Sequence, residues 1–487
     1  MFNEEKGLNE YCGIFGIYGN EKASDFVYTG LHALQHRGQQ GAGIVSDMGN
    51  HLVRRRGLGL LSAVFSKYED IAQLQGENAI GHVRYGTSGS DSIFNIQPFL
   101  FDFNGNDVAL AHNGNLTNAQ TLKRKLKEDG AKFESDSDSE VLIHLIKQKQ
   151  NMSFIDALKK SLNEIKGGFA FLFLKKDCMI AALDPNGFRP LCIGKRTDGS
   201  YVVASETCAL DAVDAEYVRD VQPGELIIFD KDGMHLDHFT TDTQLAVCSM
   251  EYIYFANQDS SIHGVSVYDA RKKMGQLLAR EQPADADIVI GVPNSSLAAA
   301  LGYAQESKLP YEMGLVKNQY VARTFIEPTQ EQRERSVRLK LSAVKSVVQG
   351  KRVVIVDDSI VRGTTSSQIV KLLRKAGAKE IHLRIASPPF KFPCFYGIDI
   401  STRSELIAAN YSIEEMKKII DVDSLGYLSI ESLVKSIPIP DAKGAPNGGL
   451  TIAYFNGEYP TPLYDYEKDY LESLKKQKRK GLENGSI

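Results

Sequence analysis

Two apolar strands, each followed by a turn and a helix, most strongly constrain how this chain can fold. ADIVIGV (286–292) leads into the helix SLAAALGYAQES, and KRVVIVDD (351–358) leads into a helix with an apolar stripe ending near Gly377. A further apolar strand, IHLRIAS (381–387), follows that second helix. Continuous apolar strands that alternate with helices indicate a parallel sheet covered on both faces. We therefore predict an α/β domain with a mainly parallel sheet after about residue 245.

The first half of the chain has a different pattern. Short strands such as CGIFGIYG (12–19) and GGFAFLFLK (167–175) lie between glycine-rich turns. Helical segments interrupt them at 137–148 and 153–165, and the second of these has a clear apolar stripe. Many strands with a few helices predict a layered α+β domain, with its boundary between Phe239 and Met250.

Composition excludes several classes of protein. The chain has 487 residues, of which 43% are hydrophobic, so disorder of the whole chain is excluded. Its 57 Lys and Arg against 61 Asp and Glu give a net charge of −4, so we expect neither nucleic acid nor membrane as partner. No apolar run reaches the roughly 18 residues of a membrane-spanning helix. The six cysteines form no close pair, which favours the reducing cytoplasm over a disulfide scaffold.

The segment VVIVDDSIVRGTTS (353–366) is the most specific motif in the chain. Its loop of Gly, Ser and Thr opens a helix, where free N–H groups and the helix dipole favour a phosphate. Asp357 and Asp358 lie at the carboxyl end of the strand and are suited to sugar hydroxyls or to a metal beside a phosphorylated ligand. The alternative is an ordinary strand–turn–helix whose acids cap the turn.

The motif resembles the binding signature of the type I phosphoribosyltransferases. The resemblance implies that Asp357 and Asp358 contact the ribose hydroxyls of phosphoribosyl pyrophosphate. It implies a 5-phosphate loop made of Arg362, Gly363, Thr364 and Thr365. It also implies a Mg²⁺ ion near Ser295, Asp357 and Asp358.

Two further segments fit the same resemblance. GVPNSS (291–296) corresponds to the pyrophosphate loop, although relatives often carry Asp where this chain has Asn294. The charge-rich stretch from Lys317 to Leu341 resembles the mobile loop that closes over the pyrophosphate; its alternative is a plain surface loop.

Five short motifs in the first half point to a second kind of chemistry. They are CGIFGI from Cys12, HRGQQGAGI (36–44) as a glycine-rich turn, GHVRYGTSG (81–89), AHNGNLTN (111–118) and SDSE (137–140). Each is weak alone, since a single Cys on a strand usually belongs to the core. Together and in this order they resemble the class II glutamine amidotransferases, which have the N-terminal nucleophile hydrolase fold, a layered αββα arrangement.

Amide hydrolysis needs a nucleophile, a base and an oxyanion site. If Cys12 became the mature N-terminus, its α-amino group, with a reference pKa of about 7.7 to 8.0, could act as the base. The resemblance implies that Asn113 and Gly114 stabilise the oxyanion. It also implies that Arg84 pairs with the α-carboxylate of glutamine and Asp138 with its α-ammonium group.

The two resemblances in one chain are together similar to the amidophosphoribosyltransferase family. They imply a propeptide (1–11), a glutaminase domain (12–245), a phosphoribosyltransferase domain (246–470) and a C-terminal tail (471–487). The implied reaction is the first step of de novo purine synthesis, in which ammonia released from glutamine passes internally to phosphoribosyl pyrophosphate. Purine nucleotide inhibitors, a homo-oligomer and a cytoplasmic location are further expectations.

Two alternatives come from other classes of protein. One is a regulatory protein that only senses phosphoribosyl pyrophosphate, which would lack the set of Cys12 and Asn113. The other is a different class II amidotransferase, such as glucosamine-6-phosphate synthase, which would lack VVIVDDSIVRGTTS.

Some relatives in this family carry a [4Fe–4S] cluster on four cysteines. Cys248 and Cys394 match two of the cluster positions, but Thr451 and Tyr454 stand at the other two. Neither a Thr hydroxyl nor a Tyr phenol is a comparable soft ligand. We therefore expect no iron–sulfur cluster, with Tyr454 and its neighbours filling the space.

Overall fold

A computed structural model describes residues 12–85, 92–318, 341–398, 402–440 and 448–483, with side chains up to residue 475. The predicted propeptide 1–11 lies outside the described residues. So do residues 86–91, which follow Arg84, and residues 319–340, which make up nearly all of the predicted mobile loop.

The first half alternates strands and helices. Its elements are β1 (Gly13–Tyr18), α1 (Ala23–Ala33), β2 (Gly41–Asp47), β3 (Leu52–Leu58), α2 (Leu61–Val64), α3 (Tyr68–Ala72), β4 (Asn78–Arg84), β5 (Phe99–Phe103), β6 (Asn106–Leu116), α4 (Ala119–Glu128), α5 (Ser139–Lys147), α6 (Phe154–Glu164), β7 (Gly167–Lys175), β8 (Cys178–Leu183), β9 (Cys192–Arg196), β10 (Tyr201–Ala204), α7 (Cys208–Asp211), β11 (Ala215–Asp220), β12 (Glu225–Asp230) and β13 (Gly233–His238).

These strands form two antiparallel sheets. One has the order β11-β9-β10-β1-β4-β2-β3 and the other β13-β12-β8-β7-β6-β5. A buried cluster that includes Ile14, Ile80 and Leu172 lies between the two sheets. Helix α1 packs on the outer face of the first sheet and α4 to α6 on the outer face of the second. The layered αββα prediction is therefore confirmed.

The apolar stripe predicted for α6 is buried in the structure, from Phe154 to Leu162. In contrast, the prediction of a glycine-rich turn over 36–44 is only partly correct. A short 3₁₀ turn spans Gln35–Arg37, but β2 begins at Gly41 as a buried strand. An ideal Cβ on Gly43 would lie 2.3 Å from the carbonyl oxygen of Gln97, so these glycines permit close packing of the strand.

The second half contains the remaining elements. They are β14 (Val247–Cys248), a π-helical turn (Glu251–Phe255), β15 (Ser261–Ile262), β16 (Val265–Ser266), α8 (Val267–Glu281), β17 (Ile288–Gly291), α9 (Leu297–Ser307), β18 (Leu315–Lys317), β19 (Leu341–Ala343), α10 (Lys345–Val348), β20 (Arg352–Asp357), α11 (Thr364–Lys375), β21 (Glu380–Ile385), α12 (Ile407–Asn410), α13 (Ile413–Ile420), β22 (Ser424–Tyr427), α14 (Ile430–Ser436), β23 (Leu450–Thr451), α15 (Ala453–Asn456) and α16 (Glu467–Glu483).

A parallel sheet of order β17-β20-β21-β22 forms the centre of this half. Helices α8 and α9 pack on one face of the sheet, and α11 and α13 pack on the other. Burial on both faces explains why the strands are continuous apolar runs. The prediction of an α/β domain is confirmed. Because the strands are parallel, the carboxyl ends of β17 and β20 meet at the same edge.

An extended segment connects the two halves. Ala246 donates its N–H to the carbonyl of Asn186 at 2.7 Å, while Val247 and Cys248 pair with β23. The segment therefore contacts both halves, and the boundary at 245/246 stays a prediction. No helix among the described residues is both long and apolar enough to cross a membrane.

Candidate active sites

Cys12 lies at the entry to β1, a central strand of the first sheet. Gly13 pairs with Val83 of β4, which brings Cys12 beside Arg84 at the end of that strand. The Cys12 Sγ lies 3.8 Å from the carbonyl oxygen of Tyr85, and the residue is half-buried. The nucleophile candidate is thus fixed by the sheet itself.

Asn113 and Gly114 lie near the end of β6 in the second sheet. The Asn113 side chain is fully buried, and neither its amide oxygen nor its nitrogen has a hydrogen-bond partner among the described residues. Such an unsatisfied buried amide costs free energy unless a ligand completes it. Gly114 has φ of +149°, and a Cβ there would lie 2.0 Å from the Gly168 carbonyl oxygen, so the position requires glycine.

Asp138 directly precedes α5 and lines the same cavity as Cys12 and Gly114. Its carboxylate accepts a hydrogen bond from the N–H of Leu116 at 2.8 Å, and one carboxylate oxygen lies 3.7 Å from Nδ1 of His112. One cavity brings the candidates together. It is lined by Cys12, Arg84, Tyr85, Asn95, Gln97, His112, Gly114, Ser137 and Asp138.

The electrostatics of this cavity differ between its acid and its thiol. Burial favours the neutral form of Asp138, but His112 and the hydrogen bonds from Leu116 and Ser139 outweigh it and lower the pKa of the carboxyl. Burial raises the pKa of the Cys12 thiol. The backbone contact with Tyr85 and the charge of Arg84 lower this pKa, but by less than burial raises it. The acid is therefore ionised at neutral pH, while the thiol needs a base to become a nucleophile.

The second candidate site lies at the carboxyl edge of the parallel sheet. Asp357 ends β20, and both it and Asp358 are buried. Ser296 donates its hydroxyl to Asp357 at 3.0 Å, and the Ser295 hydroxyl donates to Asp358. Burial and the adjacent carboxylate raise the pKa of Asp357, and burial raises the pKa of Asp358. The pair therefore favours a cation or hydroxyl donors as ligand.

The loop after this acid pair runs into the N-terminus of α11. Gly363 is the N-cap residue with φ of +80°, and Thr364 and Thr365, the first two residues of the helix, are exposed. The Arg362 guanidinium forms an ion pair with Glu405. The exposed N-terminal turn offers N–H groups to an anion, as the sequence predicts for a phosphate loop.

Comparisons with known proteins assign a domain family to each half of the chain. Residues 83–212 match the family model of a glutamine amidotransferase domain, and residues 265–386 match that of a phosphoribosyl transferase domain. An amidophosphoribosyltransferase of Staphylococcus aureus strain COL is 54% identical over 475 residues, covering 97% of this chain and 95% of the relative. One of Bacillus subtilis strain 168 is 53% identical over 467 residues, with 95% and 97% coverage.

The chain belongs to the amidophosphoribosyltransferase family. The solved structure of the B. subtilis glutamine phosphoribosylpyrophosphate amidotransferase, complexed with ADP and GMP, has a TM-score of 0.87 at 52% identity, covering 93% of this chain and 98% of that one. As a member of this family, the chain is an enzyme with a glutamine amidotransferase domain and a phosphoribosyltransferase domain.

Several residues beside the first site were not predicted from the sequence. His112 stacks on Phe171 at 4.4 Å and contacts the Ser139 hydroxyl at 2.8 Å, while Gln97 accepts the His112 backbone N–H at 2.7 Å. These side chains support the strand that carries Asn113. His112 stands inside the quoted motif AHNGNLTN, which was the available signal.

The four positions that bind the iron–sulfur cluster in some relatives are all buried. Cys248 pairs with Thr451 across β14 and β23, and its Sγ lies 2.9 Å from the Tyr454 hydroxyl. Cys394 is also buried, and Phe390 stacks on Tyr454 at 5.4 Å. Aromatic packing therefore surrounds the Tyr454 phenol.

Proposed function

We propose that this chain transfers the amide nitrogen of glutamine to phosphoribosyl pyrophosphate, giving 5-phosphoribosylamine, glutamate and pyrophosphate. This is the first step of de novo purine synthesis. The observation that carries the proposal is the single cavity lined by Cys12, Arg84, Gly114 and Asp138, in a chain that also has a buried acid pair beside a phosphate loop.

Glutamine binds with one charged group at each end of its amino-acid moiety. The Arg84 guanidinium pairs with the α-carboxylate, and the Asp138 carboxylate pairs with the α-ammonium group. The lowered pKa of Asp138 supports this role, because the side chain stays ionised at neutral pH. Both residues line the cavity with Cys12, which places the substrate amide near the thiol.

Cys12 attacks the side-chain amide carbon. Its thiol proton passes to its own α-amino group, the C–N bond then breaks, and the departing nitrogen takes the proton and leaves as ammonia. The Asn113 amide and the Gly114 N–H stabilise the oxyanion, and water hydrolyses the resulting thioester to glutamate. The mechanism requires removal of residues 1–11, so we propose that they are a propeptide.

Phosphoribosyl pyrophosphate binds at the edge of the parallel sheet. Asp357 and Asp358 accept hydrogen bonds from the ribose hydroxyls. The loop residues Arg362, Gly363, Thr364 and Thr365 hold the 5-phosphate at the N-terminus of α11. Ammonia then forms a bond to the anomeric carbon as the bond to pyrophosphate breaks.

The residues at this edge fit a Mg²⁺ ion. Ser295, Asp357 and Asp358 offer only oxygen donors, which Mg²⁺ prefers, and two buried carboxylates carry charge that a cation would balance. Within the described ranges no group of three acidic, His or Cys side chains could hold a metal by itself. A Mg²⁺ ion held there would neutralise the charge of the leaving pyrophosphate.

We propose that ammonia passes between the sites inside the protein. In bulk water at neutral pH ammonia is mostly protonated, and the ammonium ion is not a nucleophile. Direct contacts between the halves support an enclosed route: the Asn115 side chain donates to the Phe395 carbonyl at 2.8 Å, two residues from Asn113. The first site is therefore joined to the second domain at its oxyanion strand.

Two similar solved structures bear on the regulation of this chain. The B. subtilis structure is described as complexed with ADP and GMP, and another similar structure, with a TM-score of 0.88 at 52% identity, is described as the allosteric regulatory enzyme of purine biosynthesis. We propose that purine nucleotides bind to and inhibit this chain, and that it acts as a cytoplasmic homo-oligomer.

We propose that this chain carries no iron–sulfur cluster. Two thiols, one hydroxyl and one phenol do not fit a cluster held by four thiolates, and the Tyr454 hydroxyl already contacts the Cys248 sulfur. Anaerobically purified protein is expected to contain no stoichiometric iron or acid-labile sulfide. Finding both would contradict this proposal.

The assay of the proposed function follows all three products from glutamine, with and without phosphoribosyl pyrophosphate, and records the intact mass of the same sample. We expect equal amounts of glutamate, pyrophosphate and 5-phosphoribosylamine from protein that lacks residues 1–11. A sensor of phosphoribosyl pyrophosphate would release no ammonia, and another amidotransferase would form no pyrophosphate. Activity from protein that retains residues 1–11 would contradict the N-terminal cysteine mechanism.

A further inference from the structure

A fully buried arginine connects Cys12 to the second half of the chain. Arg37 donates from Nε to the Cys12 carbonyl at 3.3 Å. Its two terminal nitrogens form a bidentate pair with Glu251 at 3.0 and 2.9 Å, and Nη1 also contacts Glu206 at 2.5 Å. Glu251 follows the connecting segment, so its carboxylate belongs to the predicted phosphoribosyltransferase domain.

The same carboxylate holds a second buried arginine of the first half. Arg189 donates from Nη1 to Glu251 at 3.1 Å. Its Nε and Nη2 donate to the Tyr396 carbonyl at 3.2 and 2.8 Å, and Phe188 stacks on the Tyr396 ring at 4.0 Å. Two arginines therefore share the Glu251 carboxylate, and Arg189 also binds the second domain through the Tyr396 carbonyl.

Glu251 begins the π-helical turn Glu251–Phe255, in which its carbonyl accepts the N–H of Ala256 at 3.0 Å. Turns of this type are rare and are frequent at functional sites. The buried Arg271 donates to the carbonyls of Tyr252 and Ala256 at 2.8 and 2.7 Å, at the two ends of the turn. Arg271 therefore fixes the backbone of the turn that carries Glu251.

We propose that Glu251 is a positioning residue for the glutaminase reaction, which holds Cys12 in place through Arg37 and is itself held by the turn that Arg271 stabilises. The proposal rests on the proposed role of Cys12. Glu251 is not among the residues that line the Cys12 cavity, and it acts through the hydrogen bond from Arg37 to the Cys12 carbonyl. Its carboxylate can satisfy both arginines at once because it offers two oxygens and no donor.

A purely structural role would give a different result from a positioning role. A buried ion pair is weak evidence for stability, since desolvation offsets much of the attraction. If Glu251 only balances charge, restoring that balance elsewhere restores activity. If Glu251 positions Cys12, turnover of glutamine depends on this particular carboxylate.

The test compares Glu251→Gln with the unchanged protein. Glutamine has one acceptor oxygen, so it cannot pair with Arg37 in the bidentate manner. We expect kcat for glutamine to fall at least about tenfold, because small misplacements of a reacting group are costly. The KM for glutamine should stay within about twofold, since neither Arg84 nor Asp138 is held by Glu251. Ammonia-dependent synthesis should persist, which also shows that the variant folds.

Two further variants complete the design. Glu306→Gln, which breaks the surface ion pair between Arg280 and Glu306, is the matched control and should leave both reactions unchanged. Arg189→Gln combined with Glu251→Gln restores the balance of buried charge. We expect the double variant to regain thermal stability while its glutamine turnover stays low; recovery of turnover together with stability would overturn the proposal.

Failure of this inference is distinguishable from failure of the proposed function. If Cys12→Ala abolishes glutamine use but Glu251→Gln keeps full kcat, the positioning role alone is wrong. If Cys12→Ala retains glutamine use, the proposed mechanism itself is wrong.

Discussion

The two candidate sites are built in opposite ways. The phosphoribosyl pyrophosphate site comes from two strand ends and the helices that follow them, with Asp357, Asp358 and the phosphate loop inside one segment of chain. The candidate glutaminase site draws Cys12, Arg84 and Gly114 from strands of two facing sheets or their ends, and Asp138 from the start of α5. The first arrangement is local and can be recognised alone, whereas the second exists only after the sheets have formed.

The two sites also differ in the charge that they bury. The candidate phosphate site holds two adjacent carboxyls whose pKa values are raised by burial, so it favours a cation as ligand. The candidate glutaminase site holds one acid with a lowered pKa, and Arg84 lines the same cavity, so the site offers one charge of each sign to an amino acid. We therefore predict that substitutions at the phosphate site impair both glutamine-dependent and ammonia-dependent synthesis, whereas substitutions at the glutaminase site impair only the glutamine-dependent reaction.

The largest effect is expected from Asp357→Asn or Asp358→Asn. Both glutamine-dependent and ammonia-dependent synthesis need bound phosphoribosyl pyrophosphate, so both should fall by at least about 1,000-fold. Initial rates of pyrophosphate release with each nitrogen source measure this. Glu414→Gln, at an exposed position, is the control. Unchanged turnover with ammonia would assign the acid pair a structural role.

Asn113→Ala should affect only one of the two reactions. Loss of an oxyanion donor typically lowers kcat by about 100- to 1,000-fold, and we expect that loss for glutamine alone. Asn106→Ala, at the exposed start of the same strand, is the control and should leave kcat of both reactions unchanged. An equal loss with ammonia would show that the variant disturbs the whole domain instead of the oxyanion site.

Asp138→Asn should weaken the binding of glutamine. Loss of a charge-assisted hydrogen bond to the α-ammonium group should raise KM for glutamine about 10- to 100-fold. Because the pKa of Asp138 is lowered, the side chain remains ionised from about pH 5.5 to 8, well above the reference value of about 3.9, so the variant should not alter the shape of the pH profile there. Asp136→Asn, at an exposed position nearby, is the matched control. A new pH dependence in that range would contradict this assignment.

The smallest effect concerns stability at the phosphate site. For an acid whose folded pKa is raised, the stabilising contribution is fully present below the unfolded pKa and is lost as pH rises through the folded pKa. Substrate-free Asp357→Asn should therefore melt about 2 to 4 °C higher than the unchanged protein above neutral pH, the shift that about 1 kcal/mol gives. Thermal unfolding at pH 5 and pH 8 tests this. A lower melting temperature at pH 8 would contradict the burial argument.

The sequence predicts the fold and the phosphate site for a physical reason. Strands that are buried on both faces are apolar throughout, so they are recognisable in the sequence. The acid pair and the helix start of the phosphate site lie in one continuous segment, so they can be recognised together. The two-sheet domain is also predictable, but β2 shows a limit. Its glycines read as a turn, yet they form a buried strand because close packing against Gln97 leaves no room for a side chain.

Contacts between distant segments could not be predicted from the sequence. Nothing local to Arg37, Arg189 or Glu251 shows that these three side chains meet in the interior. Likewise, the sequence around Ser296 does not show that its hydroxyl donates a hydrogen bond to Asp357, next to the bond from Ser295 to Asp358. Such contacts depend on how the two halves of the chain pack together. The residue pattern along a single segment carries no information about that packing.

The central claim is that Cys12 supplies ammonia to a second site in the same chain. Its most direct test is Cys12→Ala, assayed for 5-phosphoribosylamine formation with glutamine and, separately, with added ammonia. We predict no detectable synthesis from glutamine and nearly unchanged synthesis from ammonia, because only the first reaction needs the thiol. Continued synthesis from glutamine, or loss of both reactions in a folded variant, would contradict the account.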